Sequence, residues 1–175
     1  MDQELVKSLF DYRLDNGALA WRSRPVDHFK TWHAYLGWNK KYPGQEALTL
    51  DGKGYRVVTV FGKRYLVHRL IWLYVYGDQP KILDHINGIK TDNRINNLRE
   101  VTTQTNNMNR KIAKNNTSGV VGVYFNKKSN IWCAQMKFDG VTYHLGSSNN
   151  FDEAVKMRKA EQDRLGFSKR HGEKC

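Results

Sequence analysis

Asp84 and His85 open the stretch of this 175-residue chain that is richest in reactive side chains. Behind them come Ile86-Asn87-Gly88, then Asp92-Asn93-Arg94-Ile95-Asn96-Asn97-Leu98-Arg99, then Thr105-Asn106-Asn107. An imidazole with an ordinary pKa of about 6.5 is largely neutral at neutral pH and accepts a proton from water. The Asp84 carboxylate offers a hard anionic oxygen and the Asn106 amide a neutral one. Oxygen donors of this kind suit Mg²⁺ or Mn²⁺, which keeps open positions for phosphate and water. Such groups together can hydrolyse a phosphodiester, which needs an activated water, neutralised phosphate charge and help for the leaving oxygen. The plainer reading makes Asp84 and His85 turn residues, with the nine asparagines between positions 87 and 116 serving loop hydrogen bonds. There is also a geometric demand. Neighbours on a regular strand point to opposite faces, so Asp84 and His85 can share a site only where the strand ends or bends.

The residue types and their separations resemble the HNH endonuclease family, in the branch where asparagine replaces the last histidine, as in phage and intron-encoded homing enzymes. The likeness covers roughly residues 66–112 and includes the preceding His68-Arg69-Leu70-Ile71-Trp72. It implies a ββα-metal site in which His85 is the general base. Asp84 and Asn106 then hold the metal, Mg²⁺ by preference or Mn²⁺. Asn97 braces the loop that carries His85 and keeps the imidazole oriented, since its amide both donates and accepts.

The elements that position these groups are read from pattern. Tyr55–Val60 is β-branched, Phe61-Gly62-Lys63 turns the chain, and Arg64–Val67 returns as a second strand. Leu19–Arg22 is a weaker strand after the Asp15-Asn16-Gly17 turn. Trp32, Tyr35, Trp38 and Tyr42 stand among lysines between 27 and 46. They suit either a small aromatic core, the favoured reading, or an aromatic-basic surface for nucleic acid. A helix is expected from His68 to Tyr76, ended by Gly77. Lys81–His85 reads as a short strand, 86–96 as a loop, Asn97–Arg99 as a brief returning strand, and Thr102 or Thr103 as the cap of a helix to about Arg110.

Residues 113–118 read as a basic linker, and 119–175 as a separate module with a basic tail. Val121–Phe125, Trp132–Phe138 and Val141–Leu145 alternate like strands, with Asp139-Gly140 as a hairpin signal. A helix follows from Asp152, with Phe151, Ala154, Val155, Arg158 and Leu165 on one side. This module resembles the AP2-type DNA-binding domain (AP2/ERF), whose sheet enters the major groove. On that likeness Trp132, Ala134, Met136, Phe138, Val123, Phe125, Val141, Tyr143 and Leu145 face the helix. The outward face presents Tyr124, Asn126, Gln135, Lys137, Thr142 and His144 to base edges, and Lys127 and Lys128 meet phosphates. The plant domains carry arginines where Tyr124 and Asn126 stand, so their base specificity does not transfer.

Charge supports a polyanionic partner. There are 29 lysines and arginines against 17 acidic residues, net +12, with a pI near 9.7. Residues 1–80, 81–118 and 119–175 each contribute +4, so no single tail holds the charge. No apolar run approaches the roughly 18 residues of a membrane span. The N-terminus lacks the basic-then-apolar order of a signal peptide. Two cysteines, Cys133 and Cys175, form no C-x-x-C pair, which argues against a disulfide scaffold or a structural zinc site. A reducing, cytoplasmic setting is expected, in a phage-infected bacterial host on the family likeness.

The combined expectation is an α+β protein. It has a β-rich, DNA-contacting segment over 1–65, a nuclease module over 66–112, and a three-stranded antiparallel sheet packed on one helix. Its activity is metal-dependent cleavage of double-stranded DNA by a monomer, with a homing-type role. Two rivals use the same basic surfaces: a non-catalytic, sequence-specific DNA-binding regulator, and an RNA-binding protein suggested by interleaved aromatics and lysines.

Overall fold

The computed structural model describes residues 1–47, 49–109, 112–113, 115–167 and 171–172. Lys114 of the basic linker, and residues 168–170 and 173–175 of the basic tail with Cys175, lie outside the described residues. The chain forms two compact units, Met1–Glu100 and Val101–Cys175, and mixes helices with several small antiparallel sheets.

In the first unit Asp2 caps α1 (Gln3–Leu9), its carboxylate accepting from the Leu5 amide at 2.9 Å. β1 (Phe10–Arg13) and β2 (Ala18–Trp21) form a hairpin closed by Gly17 at φ +71°. α2 (Trp32–Lys41) follows, capped by Thr31. Next come β3 (Thr49–Leu50), β4 (Arg56–Val60) and β5 (Lys63–Leu66), paired in that order. Phe61 and Gly62, at φ +47° and +76°, make the tight turn between β4 and β5. α3 (Val67–Tyr76) ends on left-handed Gly77, whose amide bonds the Leu73 carbonyl. β6 (Leu83–His85) and β7 (Leu98–Glu100) pair antiparallel. Val6, Leu9, Phe10, Leu19, Val58, Val60, Val67, Leu70, Ile71 and Leu98 share one core. Burying a leucine such as Leu98 stabilises by about 1.5–3 kcal/mol, so the core itself holds β7 in place.

The β-rich reading of 1–65 requires correction, because two of its elements are helices, α1 and α2. α1 is only two turns long, and no side chain of α2 is buried, so the short apolar pattern of α2 does not stand out as a helix. The aromatic-core reading of residues 27–46 holds in part: the half-buried Trp38 packs on Trp21, Phe29 and Tyr42, with ring centres 5.2–5.8 Å apart. Trp32 is 63% exposed. Phe29, Trp38 and Phe61 gather around the Arg24 guanidinium at 4.8–4.9 Å from their ring centres.

In the second unit α4 (Thr103–Met108) is capped by Thr102. β8 (Val123–Asn126), β9 (Ile131–Phe138) and β10 (Val141–Ser148) form a sheet in the order β10-β9-β8. Asp139 and Gly140 both adopt positive φ between β9 and β10. α5 (Phe151–Arg164), capped by Asn150, packs on this sheet. Val123, Ala134 and Ala154 are the core, with Trp132 and Phe151 against them. Val141 and Tyr143, expected inside, are about half exposed, because β10 is an edge strand that α5 covers only in part. Phe125 is 41% exposed while stacking on Trp132. Cys133, expected outward, is buried, with the Ser147 hydroxyl donating to its sulfur at 3.5 Å.

Candidate active site

α3 buries Val67, His68, Leu70 and Ile71 along one face. That face brings the His68 ring edge-on to the His85 ring, with centroids 5.0 Å apart. Tyr55 completes the cluster, 5.3 Å from the His68 ring and 6.1 Å from that of His85. Burial, and then the neighbouring His85 and Arg69, push the His68 imidazole down from its usual range to about 4. It is therefore neutral at physiological pH.

Strand pairing decides how Asp84 and His85 diverge. His85 lies opposite Leu98, and Asp84 opposite Arg99. Cross-strand partners share a face, so His85 points toward the core with Leu98 and is buried. The Asp84 carboxylate meets the Arg99 guanidinium at 3.0 Å. β6 does end at His85, as sharing a site would require, yet within the strand the two side chains leave from opposite faces. Tyr55 links them: its ring touches His85, and its hydroxyl is pushed up first by burial and then by the Asp84 and Asp51 charges.

The loop between β6 and β7 is folded on its own asparagines. Asn97 accepts from the Asn87 amide at 3.0 Å and donates to the Asn87 side chain at 3.0 Å and the Asp92 carbonyl at 2.8 Å. Its own carbonyl accepts from Ile86 at 2.8 Å. Asn97 thus ties together both ends of the loop after His85 without touching the imidazole through any of these bonds. Asp92 holds Arg94 at 2.7 Å and accepts from Asn87 at 2.7 Å. These bonds, led by Arg94, hold its carboxyl at about 2.

Asn93 is the residue sequence reasoning passed over. It is fully buried, and its Oδ1 lies 3.0 Å from His85 Nε2. The Tyr12 hydroxyl donates to the Asn93 carbonyl at 3.3 Å and accepts from the Ile95 amide at 2.8 Å. A Cβ on Gly17 would overlap the backbone of Asn93 and Arg94, so the β1–β2 turn must be glycine to seat against this loop. In the sequence Gly17 looked like an ordinary turn glycine and Asn93 like one loop asparagine among many.

Asp84 contributes one hard anionic donor, which fits Mg²⁺, an ion commonly held by one or two carboxylates plus substrate oxygens. Among the described residues no group of three or more His, Cys, Asp or Glu side chains gathers as a cage. Asn106 lies on α4, in the second unit.

The second unit places the remaining candidates. Tyr124, Lys127, Lys128, Lys137, Thr142 and His144 are exposed and Gln135 is half-buried. The register sets Gln135 beside His144 and Lys137 beside Thr142 on one face. The Asn126 side-chain oxygen is engaged in its own turn, accepting from Lys128 at 3.0 Å. His144 Nε2 lies 3.2 Å from the Ser147 hydroxyl. Sequence reasoning had put Arg158 on the packed side of α5. It is buried and its Nε donates to the Val121 carbonyl at 3.1 Å. No described helix is long and apolar enough to cross a membrane.

A family model described as HNH endonuclease matches residues 65–108, the span from the end of β5 to the end of α4. Protein 3.8 of Escherichia phage T7 is 30% identical over 82 residues, covering 46% of this chain and 68% of the phage protein. No solved structure matches. The span of the family match includes the positions of His68, Asp84, His85, Asn93, Asn97 and Asn106. The chain belongs to the family of the phage T7 protein, with an HNH endonuclease domain across residues 65–108.

Proposed function

We propose that this protein is a metal-dependent endonuclease that hydrolyses phosphodiester bonds of double-stranded DNA, with His85 as general base. The carrying observation is the prefolded hairpin inside the HNH match. Asn97 closes the loop after His85, and the imidazole is pinned between His68 and Asn93. Asp84 is read as the anionic metal ligand. Asn106 is read as the neutral one on the family pattern alone. A bound divalent ion would neutralise phosphate charge and stabilise the leaving oxygen. His85 takes the proton from the attacking water, and Asn97 keeps the loop from drifting. On the family resemblance the biological role is of the homing type.

Supercoiled plasmid tests this reading. Nicked or linear product should form with Mg²⁺ or Mn²⁺ and vanish in excess chelator. Cutting that persists in chelator would remove the metal from the proposal. Tight DNA binding with no cutting in any divalent ion would favour the non-catalytic regulator.

Two surfaces are proposed to hold DNA. One is α2 with its flanks, which carries the exposed Trp32 with Lys30, His33, Lys40 and Lys41 and has no acidic residue between Asp27 and Glu46. The other is the outward sheet face of the second unit, read as AP2-like. Here Lys127 and Lys128 address charge, and Gln135, Lys137, Thr142, His144 and Tyr124 address bases. Asn126 is read as shaping the turn that presents the two lysines. Lys127→Ala with Lys128→Ala should weaken binding similarly on all sequences. The slope of log affinity against log salt should fall by roughly 2, about one for each phosphate that is no longer neutralised. Gln135→Ala should change which sites are cut. Unchanged affinity and an unchanged cleavage map on a long DNA would reassign this face to protein contacts.

A further inference from the structure

In the first unit Arg13, Arg22, Arg94 and Arg99 pair with the carboxylates of Glu46, Asp11, Asp92 and Asp84. Arg24 pairs with no carboxylate among the described residues. Its guanidinium lies over the rings of Phe29, Trp38 and Phe61, 4.8–4.9 Å from each centre. Its side-chain hydrogen bond is a long one, from Nε to His28 Nδ1 at 3.5 Å. Burial lowers its pKa from the ordinary value, yet a guanidinium keeps its proton in a protein. The cage therefore holds a full positive charge with no internal counter-charge.

Two features fix this cage in place. Phe61 stands at φ +47°, a left-handed turn position where asparagine, aspartate or glycine is usual and a bulky residue is strained. Its ring is 51% exposed, lying over Arg24 and edge-on to His28 with centres 5.1 Å apart. Asn39 holds the backbone: its side chain accepts from the Arg24 amide and donates to the Arg24 carbonyl, both at 2.8 Å. A strained turn and an uncompensated cation both oppose folding stability. Their coincidence on one guanidinium points to a ligand that supplies the missing negative charge.

We propose that Arg24 anchors one backbone phosphate of the DNA, a site that rests on the reading of α2 and its flanks as a DNA surface. The ring faces hold the cation electrostatically. They leave its Nη donors for a phosphate, whose oxygens the planar fork matches two at a time. An arginine already in an ion pair must release its carboxylate before it binds, and Arg24 has none to release. No acidic residue occurs from His28 to Gln45, so the chain that supplies Phe29, Trp38 and Asn39 adds no repulsion. The occupant is a phosphate rather than a base edge, because a single positive fork carries no pattern that would tell bases apart.

The test measures the affinity of the full-length chain for a fluorescent DNA duplex of mixed sequence, in excess chelator, across a range of salt. Arg24→Met keeps an apolar stem between the rings and removes the charge. Its melting temperature should equal or exceed that of the native chain. Its affinity should fall roughly 10-fold at about 0.1 M salt, and the slope of log affinity against log salt should fall by roughly 1. Arg24→Lys keeps the charge and should keep the native slope. Phe61→Gly relieves the turn and frees the guanidinium, so it should raise the melting temperature while lowering affinity roughly 2–10-fold, the effect of having to order one long side chain. A folded Arg24→Met chain with native slope and affinity overturns the proposal. Should Arg24→Met fail to fold, native affinity in Phe61→Gly overturns it. Lys40→Ala with Lys41→Ala, measured in parallel, separates the two failures. If this pair lowers the slope and Arg24→Met does not, α2 holds DNA without the anchor. If neither does, the DNA surface itself is struck, and the anchor with it.

Discussion

His85→Ala should cut DNA roughly 10²–10⁴-fold more slowly than the native chain, with DNA affinity nearly unchanged. The direction follows from what the alanine lacks: no group at position 85 can then take the proton from water. The affinity expectation follows from burial, because a side chain 5% exposed and turned toward Leu98 offers DNA little surface. Truncation also leaves Asn93 Oδ1 without the His85 partner, which should lower stability by about 1–3 kcal/mol. A melting curve and a binding isotherm in the cleavage buffer therefore belong to the measurement. A slowed reaction with a folded, binding-competent chain assigns the effect to proton transfer. Equal loss of affinity and cutting would make His85 a structural residue.

Asp84→Asn should lower cleavage by at least roughly 10²-fold, since changing residues that only support a ligand already costs about 10–100-fold. Part of it should return at higher Mg²⁺ or Mn²⁺. The amide keeps the shape and a neutral oxygen but loses the anion that a hard cation requires. The same change removes the ion pair with Arg99, whose side chain is 38% exposed. Pairs that open to solvent contribute at most about 1 kcal/mol, so the fold should persist. The check is a metal titration of the initial cleavage rate for both chains. A rightward shift of the Mg²⁺ dependence supports the ligand reading, and an unchanged curve removes Asp84 from the metal site.

The family was legible in the chain because its pattern depends on residue types at short separations. Asp84-His85, Asn97 and Asn106 stand close enough in sequence to be recognised, and the elements around them announce themselves locally. Gly77 ends α3, Asp139-Gly140 turns β9 into β10, and Thr102 caps α4, each a property of a few neighbouring residues. The β4–β5 hairpin was found within a residue at either end for the same reason.

What stayed hidden depends on contacts between distant residues or on the lack of burial. α2 carries Trp32, Tyr35 and Leu36 at helical spacing but sets them among lysines and glycine and buries none of them, so the short pattern did not stand out as a helix. The inside and outside of β10 could be assigned by alternation, but not how far α5 covers it, which left Val141 and Tyr143 exposed. Nothing near Asn93 in sequence distinguishes it from its neighbours. Its meaning comes from His85 eight residues away, from Tyr12 eighty-one residues away and from the Gly17 turn. Residue type and spacing thus identify which groups can carry out the chemistry. Which side chains seat against the His85 imidazole, and which face Asp84 takes, follow from strand register and core packing, because those bring together atoms that local sequence leaves apart.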